Sequence, residues 1–187
     1  GMMNLVLETD LSVEQKEYIN DMKVASKTLL AVLNDILDFS KIKQGKIDIE
    51  RIKFELHDNL RSLYHIARTK GREKGVEVNL IIDFETHKYV MGDPVRLNQI
   101  LENLINNALK FTQEGEVNIR MKMVQEVEDT IQIEFQIQDT GIGIPKDKRA
   151  HIFKQFTQAS SDTARKFGGT GLGLPIVKQL LELMSGQ

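Results

Sequence analysis

The chain has 187 residues, 41% of them hydrophobic, enough to pack one large domain or a domain with a helical appendage. Its 25 basic and 27 acidic residues give a net charge of −2, which argues against a broadly basic nucleic-acid binder. With no cysteine, disulfides, thiolate chemistry and cysteine-built zinc sites are excluded, and no apolar run is long enough to span a bilayer.

Gly1 before Met2 and Met3 reads as a cloning remnant, so an excised fragment is expected. Ser12 is the expected N-cap of a long helix, with Gln15 completing a capping box. From there to about Ile42, apolar residues recur at helical spacing: Ile19, Met22, Leu29, Leu33 and Ile36, with Leu30 and Leu37 beside them. Glu17, Lys23, Lys27, Asn34 and Asp38 take the remaining faces. The pattern is close to a heptad seam. Such a stripe needs a partner helix, from this chain or a second copy, or else it lies as a core helix on the unit that follows.

"KQGK" at 43–46 breaks that helix and sets a domain boundary near Gly45, giving a helical region 1–45 and an α/β unit 46–187. Alternation over 47–56 predicts a strand. Residues 57–75 predict a helix with Leu60, Leu63, Tyr64 and Ala67 on one face, ended by Gly71 or Gly75. A strand follows at 76–84, then a short strand leading through Gly92-Asp93-Pro94 into a long helix to Thr112. Asp93 suits its N-cap and Pro94 its first position. Residues 115–125 and 130–139 predict a hairpin, and a short helix is expected near 146–155 before a final helix "PIVKQLLELM".

The chemistry concentrates at three places. The helix after Pro94 carries Asn98, Asn103, Asn106 and Asn107, although asparagine is a mediocre helix former. Asn103 and Asn107 are four apart and share a face, so their amide oxygens suit Mg²⁺, a hard cation that keeps waters and substrate phosphates. Lys110 lies one turn beyond, within reach of a phosphate. "DTGIGIP" (139–145) ends a strand with the carboxylate of Asp139, a hydrogen-bond acceptor for an exocyclic amine, while Gly141 and Gly143 let backbone pass close to a flat base. Alone this is a common turn. "GGTGLGLP" (168–175) opens a helix, where free N–H groups and the dipole favour phosphate. No Gly-Lys-Ser/Thr follows, so it is not a Walker A loop. Between the clusters, the polar stretch 151–167 suggests a lid. Phe153 and Phe156 anchor its base or pack in the core, and Arg165 and Lys166 reach phosphates or stay solvated.

Together these elements resemble the catalytic ATP-binding domain of hybrid-type sensor histidine kinases, in the wider family shared with Hsp90, DNA gyrase B and MutL. "NLINNALKFT" resembles the N box, "DTGIGIP" the G1 box, "FKQF" the F box and "GGTGLGL" the G2 box. Residues 13–44 resemble the second helix of the dimerisation and phosphotransfer domain. The resemblance implies an α+β fold: half of a helical hairpin, then a two-layer α/β sandwich with a mixed, mostly antiparallel sheet. It implies ATP and Mg²⁺ as cofactors, with Asn103 and Asn107 on Mg²⁺, Lys110 on phosphate, and Asp139, Gly141 and Gly143 at the adenine. Phe153, Phe156, Arg165 and Lys166 belong to the F box and lid, and Gly169, Thr170, Gly171, Leu172 and Gly173 to the G2 loop that wraps the triphosphate. It also implies a homodimer through the N-terminal helices, a response-regulator receiver domain as partner, no nucleic acid, and the cytoplasmic portion of a membrane-anchored bacterial sensor.

Two departures qualify the resemblance. The family's phosphoacceptor sits in His-Glu/Asp-x-x-x-x-Pro, and none of His57, His65, His87 or His151 fits. The acceptor is therefore expected upstream, and the fragment is expected to bind ATP without autophosphorylating. Further strands are expected beyond Gln187. An ATP-dependent clamp of the Hsp90 or MutL kind is disfavoured by the seam helix and by the absence of an acid at Asn103. A non-catalytic regulator that binds nucleotide or a receiver domain is the other alternative, weakened by the intact nucleotide boxes.

Overall fold

The computed structural model describes residues 2–83, 85–153 and 171–186. A short helix α1 (Met2–Leu7) precedes the long helix α2 (Val13–Lys43). The capping box forms as expected: the Gln15 amide donates to Ser12 Oγ at 3.2 Å, and the Ser12 amide to Gln15 Oε1 at 2.9 Å. None of the described helices is long and apolar enough to cross a membrane.

The expected strand over 47–56 contracts to β1 (Ile52–Glu55). It forms only where a partner exists, pairing antiparallel with β3 (Tyr89–Gly92) from Ile52↔Gly92 to Glu55↔Tyr89. Upstream, Ile47 and Ile49 pack among helices, and the Glu50 amide donates to the Asp93 carboxylate at 3.1 Å rather than to a ladder. Helix α3 (Leu56–Lys74) ends at Gly75, whose φ of 75° is left-handed backbone that disfavours a side chain. Gly71 does not end the helix. It is a packing site, where an added Cβ would lie 2.6 Å from Val78 Cγ2 and 2.7 Å from the Val76 carbonyl.

Strand β2 (Val76–Ile82) pairs in parallel with β4 (Gly115–Val127), which turns through Glu128 and Asp129 into antiparallel β5 (Thr130–Asp139). The order β2-β4-β5 makes β5 an edge among the described residues. Helix α4 (Pro94–Phe111) starts as its sequence demands: Asp93 Oδ1 accepts from the Arg96 amide at 3.0 Å, and Pro94 occupies the first turn. The last helix, α5, is Gly173–Leu183. Of the short helix expected near 146–155, residues 146–153 form successive turns, and 154–155 lie outside the described residues.

The elements build two cores. In the first, Leu60, Leu63 and Ala67 of α3 and Leu101, Ile105 and Ala108 of α4 cover Val76, Val78, Val117, Ile119 and Met121 of the sheet. In the second, Ile42 of α2 joins Ile47, Ile100 of α4, and Leu172, Ile176 and Leu180 at α5. The core-helix alternative for α2 is thus met on one face only. One face lies on the α/β unit, where Asp38 accepts from Gln99 Nε2 at 2.7 Å. On the opposite face Met22, Leu29, Leu30, Leu33, Ile36 and Leu37 are exposed, while Ile19 is buried.

Candidate functional site

The four asparagines of α4 divide by helix face. Asn98 and Asn59 of α3 exchange amide hydrogen bonds, at 2.7 Å and 3.1 Å, which clamp the two helices. Asn106 accepts from Lys70 Nζ at 2.9 Å. These two are structural. Asn103 and Asn107 instead line a cavity of about 810 Å³, together with Lys110 and Phe111 one turn on.

Asn103 is fixed by its own helix: its Nδ2 donates to the Gln99 carbonyl at 2.9 Å, which leaves its Oδ1 as acceptor. That oxygen lies 2.8 Å from where a Cβ on Gly173 would stand, so a side chain at the start of α5 would push the Asn103 amide from its place. Gly171 and Gly173 also line the cavity, and Gly171 has left-handed backbone at φ 69°. Leu172 between them turns the other way, into the second core. The alternation of glycine and leucine thus gives the cavity a bare backbone edge and gives α5 an anchor.

The third wall comes from β5 and the turn after it. Phe135, Ile137 and Asp139 line the cavity, followed by Ile142, Gly143 and Ile144. Asp139 is exposed, and one of its oxygens accepts from the Gly141 amide at 2.9 Å, so the turn orients the carboxylate. Gly141 is not a lining residue. It rests on the end of α4, where a Cβ would collide with the Phe111 carbonyl, and the Ile142 amide donates to that same oxygen at 3.3 Å. The two motifs are therefore locked together through the backbone of Phe111. Phe153 lines the cavity and is partly exposed. Phe156, Arg165, Lys166, Gly169 and Thr170 lie outside the described residues.

Burial lowers the pKa of Lys110 below the ordinary lysine value of 10.5, because removal from water disfavours the ammonium. Its Nζ lies 4.9 Å from the centre of the Phe111 ring. The donor set fits a hard cation only in company: among the described residues there is no cluster of three acidic or histidine ligands. Two neutral amides hold Mg²⁺ well when an anionic ligand supplies further oxygens.

A fourth wall escaped the sequence reading. Thr28, Ala31, Val32 and Asp35 of α2 line the cavity from the face opposite the exposed seam. Their i, i+3, i+4, i+7 spacing was the available signal, but Thr28 and Asp35 are polar and Ala31 is small, so the stripe lacks the bulky apolar character that draws attention. No histidine is among the residues that line the cavity. The ring Nε2 of His57 lies 3.0 Å from the Thr86 carbonyl, and that of His87 lies 2.9 Å from Glu126 Oε1.

Residues 92–187 match the family described as histidine kinase-, DNA gyrase B- and HSP90-like ATPases. The whole chain is 40% identical to part of the signal transduction histidine-protein kinase BarA of Escherichia coli (strain K12), covering 20% of that protein. It is 42% identical to part of the autoinducer 2 sensor kinase/phosphatase LuxQ of Vibrio cholerae, covering 22% of it. The chain thus spans about a fifth of the length of these curated relatives. Among solved structures, full-length ShkA in complex with AMPPNP superposes with a TM-score of 0.78 at 30% identity, covering 98% of this chain and 37% of that one.

Proposed function

The chain belongs to the histidine kinase-, DNA gyrase B- and HSP90-like ATPase family, and from that premise we propose that it is the ATP-binding catalytic core of a two-component sensor histidine kinase. The observation that carries the reading is one cavity lined by Asn103, Asn107 and Lys110, by Asp139 and Gly143, and by Gly171 and Gly173. Three stretches distant in sequence supply amide oxygens, a cation, a carboxylate and bare backbone to one place. That AMPPNP occupies the similar ShkA supports a triphosphate as ligand.

In this reading the Asp139 carboxylate accepts from the adenine amino group, and the wall of Phe135, Ile137 and Ile142 holds the base by apolar contact. Lys110 meets a phosphate. The N–H groups at the start of α5 face the triphosphate, with the helix dipole favouring its charge. Asn103 and Asn107 hold Mg²⁺, which when bound neutralises phosphate charge. The chain's own residues position the nucleotide and exclude water, which is most of what phosphoryl transfer requires of a protein. The acceptor histidine lies in a part of the longer protein outside these residues, and a receiver-domain aspartate is the next stop. The helical region 1–45 pairs with a second copy through its exposed seam, and the α/β unit 46–187 carries the nucleotide. The longer protein is a membrane-anchored sensor whose cytoplasmic portion contains this chain.

Calorimetric titration of Mg-ADP tests the reading. Saturable binding is expected, lost in Asn107→Ala and in Asp139→Ala while circular dichroism stays unchanged. Binding that survives both substitutions would move the nucleotide elsewhere. A folded chain that binds none would favour the non-catalytic regulator.

A further inference from the structure

Helix α3 breaks a local rule with no gain inside the chain. Arg61, His65, Arg68 and Arg72 fall at i, i+4, i+7 and i+11, so they form one ridge, and all four are exposed. At a rise of about 1.5 Å per residue the ridge is about 16 Å long. Arg68 and Arg72 are like charges four residues apart, an arrangement that destabilises a helix. The helix holds five lysines and arginines against two acids, in a chain whose net charge is −2. The charge is thus concentrated here rather than spread.

The cations of α3 are used differently. Lys70 and Lys74, off the ridge, donate to Asn106 Oδ1 at 2.9 Å and to the Leu109 carbonyl at 3.1 Å, and so fasten α3 to α4. Arg61 pairs loosely with Asp58 at 3.4 Å. Arg68 and Arg72 have no side-chain hydrogen bond or ion pair among the described residues. The buried side of the helix, Leu60, Leu63, Ala67 and Gly71, already accounts for its packing. No ridge residue lines the nucleotide cavity.

We propose that this ridge docks an acidic protein face, in its simplest form a helix carrying carboxylates at the same spacing. Guanidinium forks match carboxylates in bidentate pairs, which favours a carboxylate partner over a diffuse negative field. The ridge is one side chain wide; Asp58 lies on the same stripe just before Arg61, and Glu73 lies to one side at the far end. A broad anionic sheet, such as a lipid surface or a nucleic-acid backbone, would meet those two acids as well. A narrow acidic helix that begins opposite Arg61 lies along the arginines and avoids both.

The test titrates the full chain with an alanine-rich helical peptide bearing glutamates at i, i+4, i+7 and i+11. The control peptide has the same composition with its glutamates spread around the helix. The matched peptide should bind saturably, weaken as salt rises, and bind at least about 10-fold more tightly than the control. Arg68→Glu with Arg72→Glu should abolish binding with the circular dichroism spectrum unchanged. The same double variant should then take up a peptide with lysines in place of the glutamates. Arg68→Gln with Arg72→Gln, a milder change, should weaken binding without the reversal. Equal affinity for the two glutamate peptides, binding to neither, or tighter binding to phosphatidylserine vesicles or duplex DNA overturns the proposal.

Discussion

Helices α4 and α2 both line the cavity, but they are held in place by different means. Helix α4 is capped at its N-terminus, where Asp93 accepts from the Arg96 amide and also from the Glu50 amide, and one continuous apolar face is buried. Its position follows from this chain alone. Helix α2 is apolar on two opposite sides. One side reaches the α/β unit through Phe39 and Ile42, and the other leaves Leu29, Leu30, Leu33 and Ile36 exposed. A helix with an uncovered seam is held less firmly by this chain's own contacts than α4 is. The cavity therefore has walls fixed by contacts within this chain and one wall on a helix whose other side is uncovered.

The largest expected effect tests the first half of that contrast. Leu101→Ala in α4 removes a side chain that is fully buried in the first core. It should cost about 2–5 kcal/mol in urea unfolding, by lost transfer energy and a cavity. Leu33→Ala in α2 should change the unfolding of the isolated chain by less than about 0.5 kcal/mol, since the side chain is half exposed. Its consequence should instead be weaker self-association in sedimentation. Equal costs for the two substitutions would mean that α2's seam is covered within the chain, and the contrast would fail.

A second comparison separates the two kinds of asparagine on α4. Asn98→Ala leaves Asn59 without its amide partner and should cost about 1–3 kcal/mol of stability with Mg-ADP binding intact. Asn107→Ala should do the reverse. If Asn98→Ala weakened binding as much as Asn107→Ala, the division by helix face would lose its functional meaning.

That division marks where the sequence could and could not be read. Spacing alone put Asn103 and Asn107 on one face, and caps alone placed the starts of α2 and α4. Both are local rules, satisfied within a few residues. It could not tell that Asn98 and Asn106 were structural, because their partners Asn59 and Lys70 come from α3. It could not shorten the strand at 47–56 either. Alternation there was real, but Ile47 and Ile49 alternate toward a helical core rather than a sheet. The wall from α2 was missed for the same reason: which face of a two-sided helix meets the cavity is decided by tertiary contacts such as Asp38 to Gln99. Local chemistry was legible, and the choice between competing long-range partners was not.

The smallest effect is the one that isolates a single charge. Burial lowers the pKa of Lys110 from 10.5, so without ligand it loses its proton at a lower pH than an exposed lysine. Between that lowered pKa and 10.5 the unfolded chain binds the extra proton and the folded chain does not, so stability rises with pH across this window. Ligand binding has the opposite sign. A phosphate beside the ammonium favours the charged form and restores the proton, so Mg-ADP affinity should fall as pH rises through the lowered pKa. Lys110→Arg keeps its charge throughout and should show a flat profile in the same window. Lys110→Gln should bind weakly at every pH, with no inflection. Parallel profiles for the parent chain and Lys110→Arg would remove Lys110 from the phosphate site and leave, among the described residues, the amides and the α5 N–H groups on that side of the cavity.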